Sequence, residues 1–451
     1  MDMTHESPPS SFRRIAAVAL IALAALSAHA SPLQAQQTDV TVIRAGAIFD
    51  GTGETLRRNV TLIVRDGRIA EMGPNVQAPA GARVVDLSDW TVLPGLIDMH
   101  THITGDPSDG FAGGALREYP GYAALVGAKN ARVTLLAGFT AVRNAGADEF
   151  ADIALRDAVE NGLVPGPRIF TAGKSLGITG GHCDSGGFRP DAFPETGVED
   201  GIFNSPDEAR AAVRYQIKYG ADLIKTCSTA GVLSAGTEIG PAQVTPEEFE
   251  ALVGTATMLN RRVMAHAHGI EGIRNAVHAG VASIEHGAVL DDEIMAEMTR
   301  RGTYLVPTIM AFDYVYQAAQ AGTLAPWSAI KAEEITPIAR ESHARAIRAG
   351  VPIAFGTDAG VFPHGQNADE FRLLVEAGMS PARAILSATR EAANLLGRLE
   401  ELGTLEEGKL ADIIAVRGNP LEDVEVLKDV GFVMKDGVIY KENGAPTLGG
   451  G

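Results

Sequence analysis

Two histidines at the end of an apolar run are the first residues in this chain whose spacing suggests chemistry. His100 and His102 follow residues 94–99, which read PGLIDM. Side chains two residues apart in a β-strand lie on the same side, so both imidazoles are expected to point the same way. Imidazole is a good ligand for zinc and related divalent metals. The pair therefore predicts metal ligands, although an isolated H-x-H is more often structural.

Four further polar residues stand at or just after short apolar runs and before a turn: Lys225, His266, His286 and Asp358. Taken singly, each is most simply interpreted as a structural residue. A buried lysine cation is costly, so Lys225 must be paired, neutralised or modified. One interpretation is a salt bridge to a nearby acid. The other is carboxylation by carbon dioxide, which gives a carbamate able to bridge two metals.

Short apolar runs alternate with longer amphipathic segments between residues 94 and 400, and several of these segments end in glycine, which suits the turn after a helix. The eight predicted strands are centred near Leu96, Ala141, Ile169, Ile224, Met264, Ile284, Leu305 and Ala354. This alternation predicts an α/β fold, specifically a (β/α)8 TIM barrel spanning residues 94–401. An open doubly wound sheet is the alternative, but no glycine-rich nucleotide loop follows the first strand.

In such a barrel the six polar residues fall at the ends of strands one, four, five, six and eight. Barrel enzymes hold their chemistry at this end of the strands. Independent structural residues would not be expected all to occur at the same end, so the set predicts a common metal centre.

The two ends of the chain have a strand-like pattern of their own. Residues 39–93 and 402–445 contain short apolar runs, and the Asp66-Gly67 and Asp436-Gly437 pairs are typical of hairpin turns. We expect the two ends to pair into one small β-sandwich domain beside the barrel.

Residues 1–38 have the pattern of a signal peptide. Arg13 and Arg14 precede an apolar run over residues 15–27. Residues 28–30, which read AHA, form an A-x-A cleavage site, and residues 33–35, which read LQA, offer a second one, so cleavage is predicted near 30 or 35. The run is short for a membrane span, so an uncleaved anchor is the less favoured alternative. We expect a periplasmic or secreted protein with no membrane attachment after cleavage.

Charge and cysteine content narrow the function further. The chain has 451 residues and a net charge of −18, so nucleic acid and anionic lipid are poor candidates as partners. Cys183 and Cys227 are the two cysteines. One disulfide is arithmetically possible, but neither their number nor their spacing indicates a disulfide scaffold.

The order H-x-H, Lys, His, His, Asp resembles the binuclear amidohydrolase superfamily, and the likeness covers roughly residues 40 to 440. The motifs GGH at 180–182, HAHG at 266–269, IEHG at 284–287, GTD at 356–358 and HGQNA at 364–368 resemble its imidazolonepropionase-like branch. That branch includes dipeptidases acting on Xaa-Pro or on a C-terminal Arg or Lys, and ochratoxin-hydrolysing enzymes. The EGKLAD stretch at 407–412 resembles the returning β-unit of the superfamily.

The resemblance implies two divalent metal ions, with zinc favoured. One metal would be held by His100, His102 and Asp358, and the other by His266 and His286. Lys225, carboxylated by carbon dioxide, would bridge them. Two such metals lower the pKa of a water and polarise a scissile carbonyl, and Asp358 would carry the proton to the leaving amine.

Four more residues are candidates for the substrate side. His182 and His268 are expected to bind a substrate carboxylate or polarise its carbonyl. His364 and Asn367 are expected to line the mouth, with loop or indirect hydrogen bonding as the alternative for all four. Cys183 and the pair Gln243-Val244 differ from the residues that are usual in this family. These differences put the substrate specificity in doubt, but none of them changes a predicted metal ligand.

The implied activity is release of a C-terminal amino acid from dipeptides or N-acyl amino acids, including ochratoxin-like amides, by metal-activated hydroxide. The expected partner is a small molecule or short peptide, and the resemblance implies a homo-oligomer. The alternatives are a cyclic amide or imidazolone hydrolase and a non-catalytic binding barrel. A mononuclear deaminase is less favoured, since such relatives generally lack the bridging lysine.

Overall fold

The computed structural model describes residues 40–447, except for 106, 108–118, 120, 185, 187–188, 190 and 192–194. The expected signal peptide at residues 1–38 lies outside the described residues, so its cleavage stays a prediction. Among the helices that the structure describes, none has both the length and the apolarity to cross a bilayer.

Strands and helices are numbered along the chain. The strands are β1 Thr41–Ile48, β2 Arg57–Arg65, β3 Arg68–Gly73, β4 Arg83–Pro94, β5 Leu96–Thr101, β6 Phe139–Asn144, β7 Arg168–Thr171, β8 Ile224–Cys227, β9 Val263–Ala267, β10 Ser283–His286, β11 Tyr304–Val306, β12 Ile413–Arg417, β13 Val430–Lys435, β14 Val438–Glu442 and β15 Ala445–Pro446. The α-helices are α1 Tyr122–Leu136, α2 Ala151–Glu160, α3 Pro206–Lys218, α4 Pro246–Met258, α5 Ile270–Ala279, α6 Asp292–Arg301, α7 Ile309–Gln320, α8 Pro326–Ala349, α9 Asp369–Glu376, α10 Pro381–Ser387 and α11 Arg390–Leu396.

The two chain ends form one eight-stranded sheet in the order β15-β14-β13-β12-β4-β1-β2-β3. The halves join where β12 pairs antiparallel with β4. Apolar side chains of both halves, including Leu62, Trp90 and Phe432, form one buried cluster. The sheet therefore encloses a core between its own halves, as a sandwich does.

Both Asp-Gly pairs form the expected turns. Asp66 and Gly67 separate β2 from β3, and their φ angles are 50° and 74°. Asp436 and Gly437 separate β13 from β14, with φ angles of 51° and 78°. Two successive positive φ angles give a turn whose twist matches a hairpin, which explains why Asp-Gly predicts it.

The central strands are all parallel and lie in two sheets. One sheet has the order β5-β6-β7, and the other has the order β11-β10-β9-β8. A parallel bridge between Leu176 and Thr226 links the segment after β7 to β8. All residues of β5, β6, β8, β9, β10 and β11 are buried, as expected for strands covered on both faces.

The eighth predicted strand is an extended segment around Ile353 that is bonded on both sides. Ile353 forms a parallel bridge with Leu305 of β11. The backbone N–H of Met99 in β5 donates to the carbonyl of Phe355 at 2.9 Å. The α/β fold class is therefore confirmed, with seven strand positions divided between two sheets and the eighth in a segment bonded to both β5 and β11. The domain boundaries at 93/94 and 401/402 stay predictions.

Candidate metal centre

The carboxyl ends of the parallel strands bring the predicted ligands to one edge. His100 lies near the end of β5, Lys225 lies in β8, and His266 lies near the end of β9. His286 ends β10, and Asp358 follows the segment at the eighth strand position. Each neighbouring pair of strands is parallel, so these residues occur at the same side of the sheets.

Three of the predicted ligands converge most closely. One ligand atom each from His100, His286 and Asp358 lies within 4.8 Å of the others. His102 belongs to the same region, because its Nε2 and that of His100 each lie 3.4 Å from Asp358 Oδ1. His286 and Asp358 both have left-handed backbones, with φ angles of 70° and 63°. Such φ angles are uncommon outside glycine and occur at functional sites.

Two of these residues, His100 and Asp358, pass a test of fit for a cation. His100 Nε2 and Asp358 Oδ1 are buried and have no hydrogen-bond partner. Unpaired buried polar atoms are rare because leaving them unsatisfied costs free energy. His100 Nε2 and Asp358 Oδ1 face each other without hydrogen-bond partners, and an imidazole nitrogen and a carboxylate oxygen are suitable ligands for a divalent metal.

The remaining histidines extend the site along the strand ends. The ring centroids of His266 and His286 are 4.6 Å apart, and those of His266 and His268 are 4.7 Å apart. His182 lies 4.0 Å from His266 by the same measure. His286 Nδ1 bonds to Thr308 Oγ1 at 2.8 Å, which leaves its Nε2 available to a ligand.

Burial keeps the histidines neutral. It lowers the pKa values of His100, His266 and His286 well below the usual value, and the positive charge of Lys225 adds to the effect. The pKa of His268 falls to about 3, mainly through burial. Neutral imidazole is the form that binds a metal.

Lys225 is buried to 3% exposure among these groups. Burial lowers the pKa of Lys225 to about 8, while the carboxylates of Glu285 and Asp358 oppose the shift. Loss of the charge in a buried site is the expected response of a lysine that lacks full compensation. A fraction of the amine is therefore neutral near neutral pH.

Glu285 is a functional residue that the sequence analysis missed. It is fully buried, and its Oε2 accepts a hydrogen bond from His100 Nδ1 at 2.8 Å. Its other oxygen accepts from Arg143 Nη2 at 2.8 Å and from Ser283 Oγ at 2.5 Å. The carboxylate fixes the ring of His100 so that Nε2 faces Asp358. A glutamate inside the buried strand β10, next to the predicted ligand His286, was the available signal.

The sequence analysis also missed Asp98, which binds residues on both sides of the Asp358 segment through hydrogen bonds. Its carboxylate accepts hydrogen bonds from the backbone N–H of His100 and Thr357 at 3.0 and 3.1 Å. Thr357 Oγ1 and Asn367 Nδ2 donate to it at 2.6 and 2.7 Å. Burial nevertheless raises the pKa of Asp98 to about 6. The residue ties the end of β5 to the segment that carries Asp358.

The four predicted substrate contacts occupy different places. His182 is partly buried, with its Nδ1 2.5 Å from Ser234 Oγ, and His268 is buried with an unpaired Nδ1. His364 bonds to Thr134 Oγ1 and to the carbonyl of His102. Asn367 is fully buried, with its amide engaged by Asp98 and by the N–H of Gly365. His182 and His268 therefore remain the better substrate-side candidates.

The two cysteines, whose pairing the sequence left open, form a disulfide. Cys183 follows His182, and Cys227 is the last residue of β8. Their Cα atoms are 5.9 Å apart. The bond therefore joins the loop after β7 to the strand that carries Lys225.

A buried cluster of histidines and an aspartate at the ends of parallel strands defines a metal-dependent hydrolase class. The amidohydrolase family profile matches residues 91–440, so the chain belongs to the amidohydrolase family and is a hydrolytic enzyme acting on C–N bonds.

Three relatives give the comparison more detail. Ochratoxinase from Aspergillus niger is 33% identical over 453 residues, which covers 94% of this chain and 92% of the relative. A crystal structure of a Xaa-Pro dipeptidase with methionine bound in its active site is 41% identical with a TM-score of 0.87, and covers 89% of this chain and 100% of the other. Imidazolonepropionase from Cutibacterium acnes is 27% identical, covering 80% of this chain and 84% of the relative. The family and branch predicted from the motifs are confirmed.

Proposed function

We propose that this protein is a binuclear metal-dependent amide hydrolase that releases a C-terminal amino acid from dipeptides or N-acyl amino acids. The observation that carries the proposal is the convergence of His100, His286 and Asp358, with two unpaired buried ligand atoms facing each other. A structural cluster would satisfy such atoms internally, whereas a metal site leaves them for the ion.

We propose that His100, His102 and Asp358 hold one divalent cation and that His266 and His286 hold the second, with zinc as the metal. Lys225 would bridge them as a carbamate, since carbon dioxide reacts with a neutral amine and burial favours that form of Lys225. When bound, such a cation pair supplies Lewis-acid activation of water and of the scissile carbonyl.

The residues of the chain supply orientation and proton transfer. Glu285 holds His100, and Asp98 holds the backbone next to Asp358. Asp358 would bind a cation through Oδ1, which has no hydrogen-bond partner in the buried site, and its second carboxylate oxygen takes the proton of the attacking water. The water oxygen bonds to the carbonyl carbon, the C–N bond breaks, and Asp358 passes the first proton to the leaving nitrogen. The acyl group leaves as a carboxylic acid, whose remaining proton is taken up by the released amine or by solvent.

The substrate class is supported by the relatives and by the position of two histidines. The Xaa-Pro dipeptidase structure holds methionine, an amino acid, in its active site, and the fungal relative is named ochratoxinase. His182 and His268 lie beside His266, where they could contact the released residue. We propose dipeptides and N-acyl amino acids, including ochratoxin-like amides, as substrates.

The test is a screen of dipeptides and N-acyl amino acids against protein loaded with zinc, manganese or cobalt in the presence of bicarbonate. We expect hydrolysis at the amide next to the C-terminal residue, and about two metal ions per chain by elemental analysis. Lys225→Ala should abolish hydrolysis, while Lys218→Ala at the end of α3 should not change it. Near-native activity of Lys225→Ala would refute the bridging role.

A cyclic amide or imidazolone substrate is the second candidate, because imidazolonepropionase is among the relatives. Cyclic amides belong in the same screen, and exclusive turnover of these would replace the first proposal. Failure of every substrate, with little bound metal, would favour a non-catalytic binding protein. We further propose that the mature protein is exported and homo-oligomeric, to be tested by cell fractionation and light scattering.

A further inference from the structure

The disulfide between Cys183 and Cys227 adds a covalent link between the segment after β7 and β8, which also pair through the bridge between Leu176 and Thr226. Cys183 lies in the loop after β7 and is the next residue in the sequence after His182. Cys227 is buried at the end of β8, two residues beyond Lys225. The bond therefore anchors the residue next to a substrate-side histidine to a strand of the metal centre.

Other restraints on this loop come from hydrogen bonds. Up to Gly177 the backbone is held, because the N–H of Gly177 donates to Gly201 and its carbonyl accepts from Phe203. Beyond it, the N–H of Gly181 bonds to Ile178 within the loop itself. The N–H of Thr179 donates to the Asn204 side chain at 3.2 Å.

His182 itself is held by two side chains besides the disulfide. Its N–H donates to Gln243 Oε1 at 3.0 Å, and its Nδ1 lies 2.5 Å from Ser234 Oγ. Gln243 and Ser234 both belong to the segment between β8 and α4. The disulfide is the covalent link between the residue next to His182 and strand β8.

We propose that the Cys183–Cys227 disulfide is a positioning element for His182, so that substrate affinity depends on whether this bond is formed. The proposal rests on the hydrolytic function proposed above and assigns the two cysteines no contact with substrate. The covalent tie limits the conformations of the loop, and His182 meets the substrate without the entropic cost of ordering.

The bond can be opened without removing metal by a phosphine reductant. The phosphorus is oxidised to a phosphine oxide, water supplies the oxygen and both protons, and the disulfide becomes two thiols. Cys183 is partly exposed, which gives the reagent a sulfur to attack. Excess phosphine is removed before the assay.

The experiment is a double-variant cycle on the metal-loaded enzyme. The variants are Cys183→Ser/Cys227→Ala, His182→Ala, and the combination of all three substitutions. We expect the cysteine variant to raise KM for a good dipeptide about tenfold, roughly the worth of one well-placed charge-assisted hydrogen bond, with kcat little changed. In the His182→Ala background the same cysteine substitutions should leave KM unchanged. Reduced wild-type enzyme should match the cysteine variant.

Two outcomes would overturn the proposal. The cysteine substitutions could raise KM equally with and without His182, which would show that the disulfide acts elsewhere. Alternatively, KM could stay at the wild-type value in both the cysteine variant and the reduced enzyme. Either outcome counts only if the metal content of the variants equals that of the wild type.

Amide hydrogen exchange gives a readout that does not depend on turnover. Exchange in the peptide that contains residues 178–183 should rise when the bond is opened, while exchange in α4 should not change. If the wild type hydrolyses none of the amides, the proposed function fails. Hydrogen exchange still tests whether the disulfide restrains the loop that carries His182. Unchanged exchange would contradict the disulfide's positioning role whatever the activity.

Discussion

At the scale of single residues, a buried charge network around Glu285 borders the candidate metal centre. Glu285 and Arg143 are both buried, and their ion pair at 2.8 Å also engages Ser283 and His100. Arg143 adds a hydrogen bond to the carbonyl of Met99 at 2.6 Å. Removing one partner from such a pair leaves the other charge buried without compensation.

We therefore expect Glu285→Gln to weaken metal binding by about 10–100-fold, because His100 loses the acceptor that orients it. The same change should lower the free energy of unfolding by about 3–5 kcal/mol through the stranded charge of Arg143. Competition with a chelator measures the first effect, and urea denaturation measures the second. Glu442→Gln, in an exposed pair with Arg83, is the matched control and should leave metal affinity unchanged.

Asn367 allows a test of how a predicted substrate residue works. Because its Nδ2 donates to Asp98, Asn367→Ala should lower the free energy of unfolding by about 1–3 kcal/mol. Metal affinity should fall, while KM measured with saturating metal should stay the same. Asn161→Ala, on the surface after α2, is the control. A rise in KM without loss of stability would restore the direct substrate role.

At the scale of elements, hydrogen bonds connect the segment between β8 and α4 to His268 and to the start of α5. The N–H of His268 donates to Thr229 Oγ1 at 2.9 Å. Ser228 Oγ donates to the carbonyl of Gly272 in α5 at 2.8 Å. A glycine is needed at 272, since an added Cβ would lie 2.3 Å from Thr229 Cγ2.

Two helical glycines should respond to alanine in opposite directions. Gly254 in α4 is exposed, and an added Cβ would meet nothing within 4 Å. Gly254→Ala should therefore stabilise the protein by about 0.5–1 kcal/mol. Gly272→Ala should destabilise it by about 1–3 kcal/mol through the contact with Thr229. Urea denaturation of both variants measures the two changes in the free energy of unfolding. If Gly272→Ala also stabilised the protein, the packing around α5 would have to adapt to the added methyl group.

At the scale of the whole molecule, Asp412 connects the chain-end sheet to the central strands. Its Oδ1 accepts from the N–H of Asp436 at 2.9 Å, and its Oδ2 lies 3.7 Å from Arg168 of β7. Burial raises the pKa of Asp412 to about 6, although Arg168 opposes the shift. The folded state therefore holds this proton more tightly than the unfolded chain does.

This shift gives stability a definite pH dependence. A raised carboxyl pKa means that the contribution of Asp412 is most favourable below about pH 4 and is lost as the pH rises towards 6. Replacement by Asn removes the titration. The stability of the wild type minus that of Asp412→Asn should fall by about 3 kcal/mol, to order of magnitude, between these pH values and then level off. Urea denaturation across this range measures the difference, and a flat difference would show that folding does not raise the pKa of Asp412.

Much of the fold and part of the site were predictable because their signals are local. Seven of the eight predicted strand centres, such as Leu96 and Ile224, lie in named strands, and the centre near Ala354 lies in a bridged segment. His100 and His286 were recognised because each ends an apolar run. Glu285 and Asp98 were not recognised, because a single acid within an apolar run does not reveal which distant groups compensate it.

The sequence by itself determined where each strand ends and which polar side chains stand there, since alternation and turn residues act over a few positions. The tertiary structure alone decided that Glu285 meets His100 from 185 residues away, and that Cys183 bonds to Cys227 rather than staying reduced. It also decided that Asn367 turns inward to Asp98. These outcomes depend on contacts between distant segments, whose free energies exist only once the strands are packed side by side.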